Sequence, residues 1–302
     1  MATVEVHRSI EPQLADSVTA LLRRVEATTG RQALSDHLLA DLAEGGGEGF
    51  VGTVVTDSET GGVAGYAQAS AANANHAVEL VIDPAQDAAG LGRDLLDATL
   101  SAIAATGGGQ VNWWVRSPGP EDERAATEVG METTRTLYQM RRPLPVGQEA
   151  TITTRSFVVG QDEEAWVAVN NRAFAGHGEQ GGWRADTLRR RETEPWFDAE
   201  GFRRHECDGR LAGFCGTKVH PATAVDPRLG EIYVIAVDPD FHGLGLGREM
   251  TLAGLDHLAG RGIADAMLWF DAGNGPAVGL YEKLGFSVAA TNVAFTAEIA
   301  PA

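Results

Sequence analysis

At 302 residues the chain is long enough for two domains, each able to bury its own core. A formal charge of −18 with no basic stripe argues against a nucleic-acid partner, and no run approaches 18 consecutive apolar residues, so no membrane partner is expected. Two cysteines, Cys207 and Cys215, supply neither a metal quartet nor a disulfide framework, and with no leader-like start the chain reads as cytoplasmic.

In chain order, FVGTVVTD (50–57), VAGYAQAS (63–70) and AVELVIDP (77–84) read as strands. A loop over 87–92 leads into a helix, and VNWWVRS (111–117) reads as a further strand. The proline-containing segment RRPLPVGQEATITT is the natural connector, which sets a first domain at 1–142, a linker at 143–154 and a second domain at 155–302. In CDGRLAGFCGTKVHP the pair Asp208-Gly209 reads as a turn between two strands. GEIYVIAVDP is a strand closed by Asp-Pro, followed by the glycine loop FHGLGLG and a helix over REMTLAGLDHLAGRG. DAMLWFDAG is a strand, NGPAVGLYEKLGF a helix, and FSVAATNVAFTAEI the last strand.

The order repeats. Asp83-Pro84 matches Asp238-Pro239, Gly90-Leu91-Gly92 matches Gly245-Leu246-Gly247, Arg93 matches Arg248 and Gly130 matches Gly285, every pair 155 residues apart. The chain is a tandem duplication. In each half a strand, a glycine loop and a helix start converge. Glycines let the loop turn its N–H groups towards one point, and the first helical turn adds free N–H groups and the positive end of its dipole. Such a loop binds an anion largely through main chain. No Gly-Lys-Ser/Thr ending follows, and no Rossmann context with its acidic residue, which demotes nucleotide sites of both kinds.

Strand, glycine loop and the later N-x-x-A-x-x-x-Y-E-K-L-G-F segment (Asn274 to Phe286) together resemble the GNAT acetyltransferases. The resemblance covers both halves. It implies an α/β fold of two tandem GNAT-like domains, each a mixed, mostly antiparallel twisted sheet flanked by helices. It also implies acetyl-CoA as the donor co-substrate, with no metal. Carried onto this sequence, Ile235, Ala236 and Val237 would meet the pantetheine and thioester. His242, Gly243, Leu244, Gly245, Leu246, Gly247 and Arg248 would hold the pyrophosphate, with Asn274 nearby. In the first half Leu80, Val81, Ile82, Gly90 and Gly92 would do the same. The family usually has Gln or Arg where this chain has His242 and Asp87.

The stretches NNRAFAGHGEQGGW, TKVHP and GEIYVIAVDP resemble, more closely, a tandem subgroup of that family. This likeness implies acetylation of an amino-sugar thiol at the cysteine amine of cysteinyl-glucosaminyl-inositol. N-acetyl transfer needs an unprotonated amine, a polarised carbonyl and a proton for the leaving thiolate. Glu231 is the candidate general base and Tyr281 the candidate general acid, against plain readings as a strand-end carboxylate and a core tyrosine. Alternation puts Glu231, Tyr233, Ile235 and Val237 on one strand face. The resemblance places Asp36, Glu179 and Lys218 at the substrate, and Trp269 and Asp271 share a face that would join them. Asp36 comes from the first half, so the cleft is expected between domains. Shifting by 155 sends Glu231 to His76 and Tyr281 to Ala126, so the first half is expected to be catalytically silent. A GNAT enzyme for another amine and a non-catalytic acetyl-CoA sensor are the competing readings. A monomer is expected.

Overall fold

The computed structural model describes residues 3–47, 49–58, 60–72, 75–86, 88–176, 180–223 and 225–302, without the side chains of 36, 72, 88 and 89. In the first half, β1 (Thr3–His7) is followed by α1 (Pro12–Thr29) and α2 (Asp36–Ala43). Then come β2 (Val51–Thr56), β3 (Val63–Ala72), β4 (Asn75–Ile82), α3 (Ala88–Ala104), β5 (Gly109–Arg116), α4 (Pro120–Glu128) and β6 (Glu132–Pro143). The second half repeats this order with β7 (Arg155–Ser156), α5 (Glu163–Ala173), α6 (Ala185–Glu192), β8 (Phe202–Cys207) and β9 (Arg210–His220). It ends with β10 (Leu229–Val237), α7 (Leu246–Gly260), β11 (Asp265–Asp271), α8 (Gly275–Lys283) and β12 (Ser287–Ile299).

Among the described residues all strands join one twelve-stranded sheet, in the order β1-β2-β3-β4-β5-β12-β6-β11-β10-β9-β8-β7. Only β4–β5 and β10–β11 run parallel. The last strand of each half is exchanged. β12 pairs with β5 of the first half, β6 pairs with β11 of the second, and β6 and β12 pair with each other. Side chains follow the exchange: Val293 and Phe295 of β12 enter the first-half core, where Phe295 lies 5.5 Å from Trp113, while Met140 of β6 enters the second-half core. The sheet therefore runs through the boundary drawn at 142. The part of the chain that completes the second half begins with β6, ahead of the predicted linker.

Two apolar layers cover each half. In the first, α1 and α2 pack over Phe50, Val54 and Tyr66 on one face, and α3 and α4 cover the other. In the second, Trp166 of α5 stacks on Phe214 at 4.3 Å, and α7 and α8 cover Ile232, Leu268 and Met140 on the opposite face. Burial of such side chains stabilises by about 1.5–3 kcal/mol each. Helix α7 lies close to the sheet because Gly254 has no Cβ: one placed there would meet Cys215 Sγ at 2.6 Å and Ile232 Cδ1 at 2.7 Å. The β8–β9 turn has Asp208 and Gly209 at φ of 52° and 75°, the left-handed pair of a tight hairpin, as its sequence suggests.

Candidate active site

Strands β10 and β11 pair only from Leu229–Asp265 to Ile232–Leu268, and then diverge. Residues 233–237 keep β9 on one side and have no strand partner on the other among the described residues. Main-chain N–H groups that point into such an opening are available to a ligand. The register with β9 shifts between Ile232 and Val234, so Tyr233 forms a bulge. A bulge re-aims the residues beyond it. Ile232 and Ile235 consequently both join the core under α7, whereas Tyr233, Val234 and Ala236 join the core under α5. Simple alternation fails here. Glu231 and Tyr233 share the α5 face, but Ile235 and Val237 have turned to the α7 face.

At the end of β10, buried Asp238 accepts a hydrogen bond from Asp240 N (2.9 Å) and pairs with Arg172 of α5 at 3.0 Å. The same brace occurs in the first half, where Arg24 of α1 meets Asp83 at 2.9 Å. The loop then turns through Gly243 and Gly245, at φ of 83° and 76°, and Gly245 caps α7. Left-handed backbone of this kind disfavours any residue with a Cβ. His242 Nε2 is 3.1 Å from the Val237 carbonyl, which ties the loop back to the strand. Arg248 donates to Glu249 at 2.6 Å and to Gln148 at 2.5 Å, and Leu244 is 65% exposed. A cavity of about 460 Å³ opens here, lined by Val237, His242, Gly245, Arg248, Asn274 and Leu280 among others. Asn274 caps α8 by accepting from Ala277 N at 3.2 Å. Two helix starts thus meet at one cavity, an arrangement suited to an anionic ligand.

Glu231 is buried at the narrow end of the opening, on the α5 face. Lys218 stands opposite it on β9, with its ammonium 4.9 Å from the Trp196 ring and 5.7 Å from that of Tyr233. Glu231 Oε2 instead lies 2.7 Å from His220 Nε2. On β11, Leu268 and Phe270 enter the α7-side core, so Trp269 and Asp271 face the Glu231 side. Asp271 accepts from Arg135 at 3.0 Å and from Gly273 N at 2.9 Å. Neither His220 nor Trp196 was anticipated. His220 was legible in TKVHP, two residues past Lys218 on the same strand face. Trp196 had no such signal, because it lies between elements and reaches the site only through the fold.

Tyr281 lies on the other face. It is buried in the α7–α8 core, 5.2 Å from the Phe270 ring, and its hydroxyl makes no hydrogen bond among the described residues. Burial, and then neighbouring Cys215, push its ionisation well above the ordinary tyrosine value. Cys215 itself is fully buried, and burial pushes its thiol up to about 12. Asp36 begins α2, but its side chain lies outside the described residues, as does Glu179 entirely. The Asn170–Asn171 pair of α5 secures the segment after Glu179: Asn170 binds the Gln180 carbonyl at 2.7 Å and Asn171 receives Trp183 N at 2.8 Å.

The first-half site departs from the reading of its sequence. Strands β4 and β5 also separate, after Val78–Trp113, and a cavity of about 530 Å³ there is lined by Leu80, Ile82 and Gly92, with Glu79, Glu121 and Asp122. Val81 is buried on the opposite face, among the α1–α2 core. Gly90 and Gly92 do not form a loop. Helix α3 already starts at Ala88, and neither glycine has positive φ. Alanines 88 and 89 stand where the second half has Gly243 and Leu244, and alanine favours the helix over the left-handed turn. Asp87 lies outside the described residues. Strand β4 has no bulge, so the shift of 155 fails upstream of Tyr233. Register makes Ala77, opposite Ser70, the counterpart of Glu231, opposite Lys218. His76 is buried and its Nδ1 has no partner among the described residues.

Comparison with known proteins agrees with this architecture. Residues 164–286 match the model of the acetyltransferase (GNAT) family. The chain is 41% identical to mycothiol acetyltransferase of Thermobispora bispora, covering 94% of this chain and 96% of that protein. It is 39% identical to the mycothiol acetyltransferase of Acidothermus cellulolyticus, over 97% and 94% of the two chains. The chain belongs to the mycothiol acetyltransferase family. Its members are GNAT acetyltransferases, and the tandem arrangement recurs in a solved tandem GNAT protein from the clavulanic acid biosynthesis pathway. That structure has a TM-score of 0.68 at 17% identity and covers 99% of this chain and 100% of its own, a likeness of fold. No described helix is long and apolar enough to cross a membrane.

Proposed function

We propose that the chain transfers acetyl from acetyl-CoA to the cysteine amine of cysteinyl-glucosaminyl-inositol, by direct attack in the second half. The observation that carries this reading is the placement of Glu231 and Tyr281 on opposite faces of the opening between β10 and β11. A thioester lying in that opening presents its carbonyl to an amine from one side and its sulfur to the other.

In this reading His242, Gly243, Gly245 and Arg248, with the start of α7, hold the pyrophosphate, and the free N–H groups of 235–237 face the pantetheine and thioester. Main-chain donors aimed at the developing oxyanion stabilise the tetrahedral state without reorganising. Glu231 takes the proton of the amine, whose nitrogen bonds to the acetyl carbon. The C–S bond breaks, and Tyr281 donates to the thiolate. Burial keeps Tyr281 protonated throughout the working range, as a donor must be. Lys218, Trp196, Trp269 and Asp271 form the acceptor wall. Asp226 and Val225 lie against the first half, because Arg31 acts on Asp226 and a Cβ on Gly30 would clash with Val225. The family resemblance assigns Asp36 and Glu179 to the acceptor as well. The first half serves as scaffold and cleft wall. Its counterparts Ala77 and Ala126 supply no acid or base.

The test is acetyl transfer to cysteinyl-glucosaminyl-inositol against a panel of simple amines, with wild type and Glu231→Gln. Preference for the cysteinyl sugar, lost in Glu231→Gln, supports both substrate and base. Turnover of the panel amines alone refutes the substrate while keeping the family chemistry.

A further inference from the structure

Glu231 and His220 sit on neighbouring antiparallel strands, on one face, in diagonal register. Glu231 is opposite Lys218, and His220 is two residues further along β9. Their Oε2 and Nε2 atoms are 2.7 Å apart. The two ends of this contact differ in exposure: the Glu231 side chain is 11% exposed and that of His220 32%. One partner is inside the site and the other reaches solvent.

We propose that Glu231 and His220 act as one unit, in which His220 positions the carboxylate and carries the amine's proton on to water. The proposal rests on Glu231 being the base in the reading above. The proton leaves the attacking amine for Glu231, and passes along the Oε2–Nε2 contact to Nε2 of an imidazole that carries its own proton on Nδ1. The resulting imidazolium releases a proton to solvent from Nδ1, which makes no hydrogen bond among the described residues, and exchange with water at the part-exposed ring then moves the remaining proton from Nε2 back to Nδ1 before the next turnover. Glu231 is thereby restored as a carboxylate. Imidazole suits this step because it exchanges protons with water near neutral pH.

The charged groups around the pair are compatible with it. Lys218 shares the face, but its ammonium is engaged over Trp196 and Tyr233. Asp265 of β11 lies across from Leu229, the register partner of His220. Arg141 of β6 is tied by two hydrogen bonds, 2.6 and 3.0 Å, to Asp226 in the loop that follows His220. The duplication supplies a second, independent argument. By register the counterparts of Glu231 and His220 are Ala77 and Ala72, whereas the Asp-Pro strand end and its arginine brace persist in both halves. Both members of the unit are missing together where the scaffold is kept.

The experiment measures kcat, both KM values and the pH profile for His220→Ala, His220→Gln and Glu231→Gln, with and without added imidazole, alongside thermal midpoints. Proton transfer by a placed side chain contributes about 10²–10⁴-fold, and His220→Ala is expected to lose at least about tenfold in kcat at unchanged KM for acetyl-CoA. Added imidazole should restore part of that rate, more so as pH rises and its neutral form accumulates. His220→Gln keeps a hydrogen-bond donor and controls for folding; it should stay slow and ignore imidazole. Wild-type kcat and pH profile in His220→Gln, with Glu231→Gln inactive, overturns the relay and leaves Glu231 as base. A slow His220→Ala with no imidazole response at any pH also overturns it. Full activity in Glu231→Gln removes the base and, with it, the relay.

Discussion

Replacing Gly245 and Gly90 by alanine should shift stability in opposite directions, although the two occupy matching positions of the repeated motif. Gly245 caps α7 at φ 76°, and no atom of the described residues lies within 4 Å of a Cβ built there. The cost is therefore conformational and not steric, about 1–2 kcal/mol for an L-residue in the left-handed region. Gly90 also has open space around its Cβ position, but it lies inside α3 without positive φ. Alanine there restricts the unfolded chain and extends helix propensity, a gain of up to about 1 kcal/mol. For a chain of this size 1 kcal/mol moves the thermal midpoint by roughly 2 °C. Calorimetry should then show a fall of about 2–4 °C for Gly245→Ala and a rise of up to about 2 °C for Gly90→Ala. If the strain is borne by the ligand-binding form of the loop, titration with acetyl-CoA should show second-half affinity weakened by about 5- to 30-fold. Equal falls at both glycines would refute the reasoning, since Gly90 would then occupy the same left-handed turn.

Tyr281→Phe should lower kcat by about tenfold or more while leaving acetyl-CoA binding and the thermal midpoint nearly unchanged, because the hydroxyl has no hydrogen bond to lose among the described residues; steady-state kinetics with calorimetric titration checks this. Acid should destabilise the α5 end of the second half through Asp162. Burial alone would raise its carboxyl, but the Arg155, Val158 N–H and Arg204 contacts outweigh that and hold it at about 2, against 3.8 unperturbed. A depressed folded-state value gives stability that is complete above the unfolded value and is lost as pH falls from about 5 towards 2, on the order of 2 kcal/mol. Denaturant midpoints for wild type and Asp162→Asn should therefore converge across that window. Splitting the chain at 142 should yield fragments that do not fold separately, because it strips β6 from β11 and β12 from β5; a folded, acetyl-CoA-binding 143–302 fragment in circular dichroism and titration would disprove this.

Much of the site was legible in the order of residues because local chemistry determines it. Asp-Pro ends a strand, glycines permit left-handed turns, and Asn274 followed by proline opens a helix; each depends on neighbours a few positions away. The duplication was equally plain, as it needs only a constant offset. The failures share one cause. Tyr233 is a bulge in the register of β10 with β9, and no periodicity in IYVIAV marks it, so alternation puts Ile235 and Val237 on the wrong face and matches His76 to Glu231 in place of Ala77. A bulge is a property of pairing, and pairing is not local.

The sequence by itself determined the repeat, the glycine loop of the second half and the residue types available for acid and base. Backbone propensity and short-range hydrogen bonding decide those features. Tertiary structure alone decided that β6 and β12 change places, that Glu231 and Tyr281 stand on opposite faces of one opening, and that Trp196 and His220 join Glu231 and Lys218. These depend on which strands meet across more than a hundred residues, where burial of Met140 and Phe295 outweighs any preference that a local segment carries.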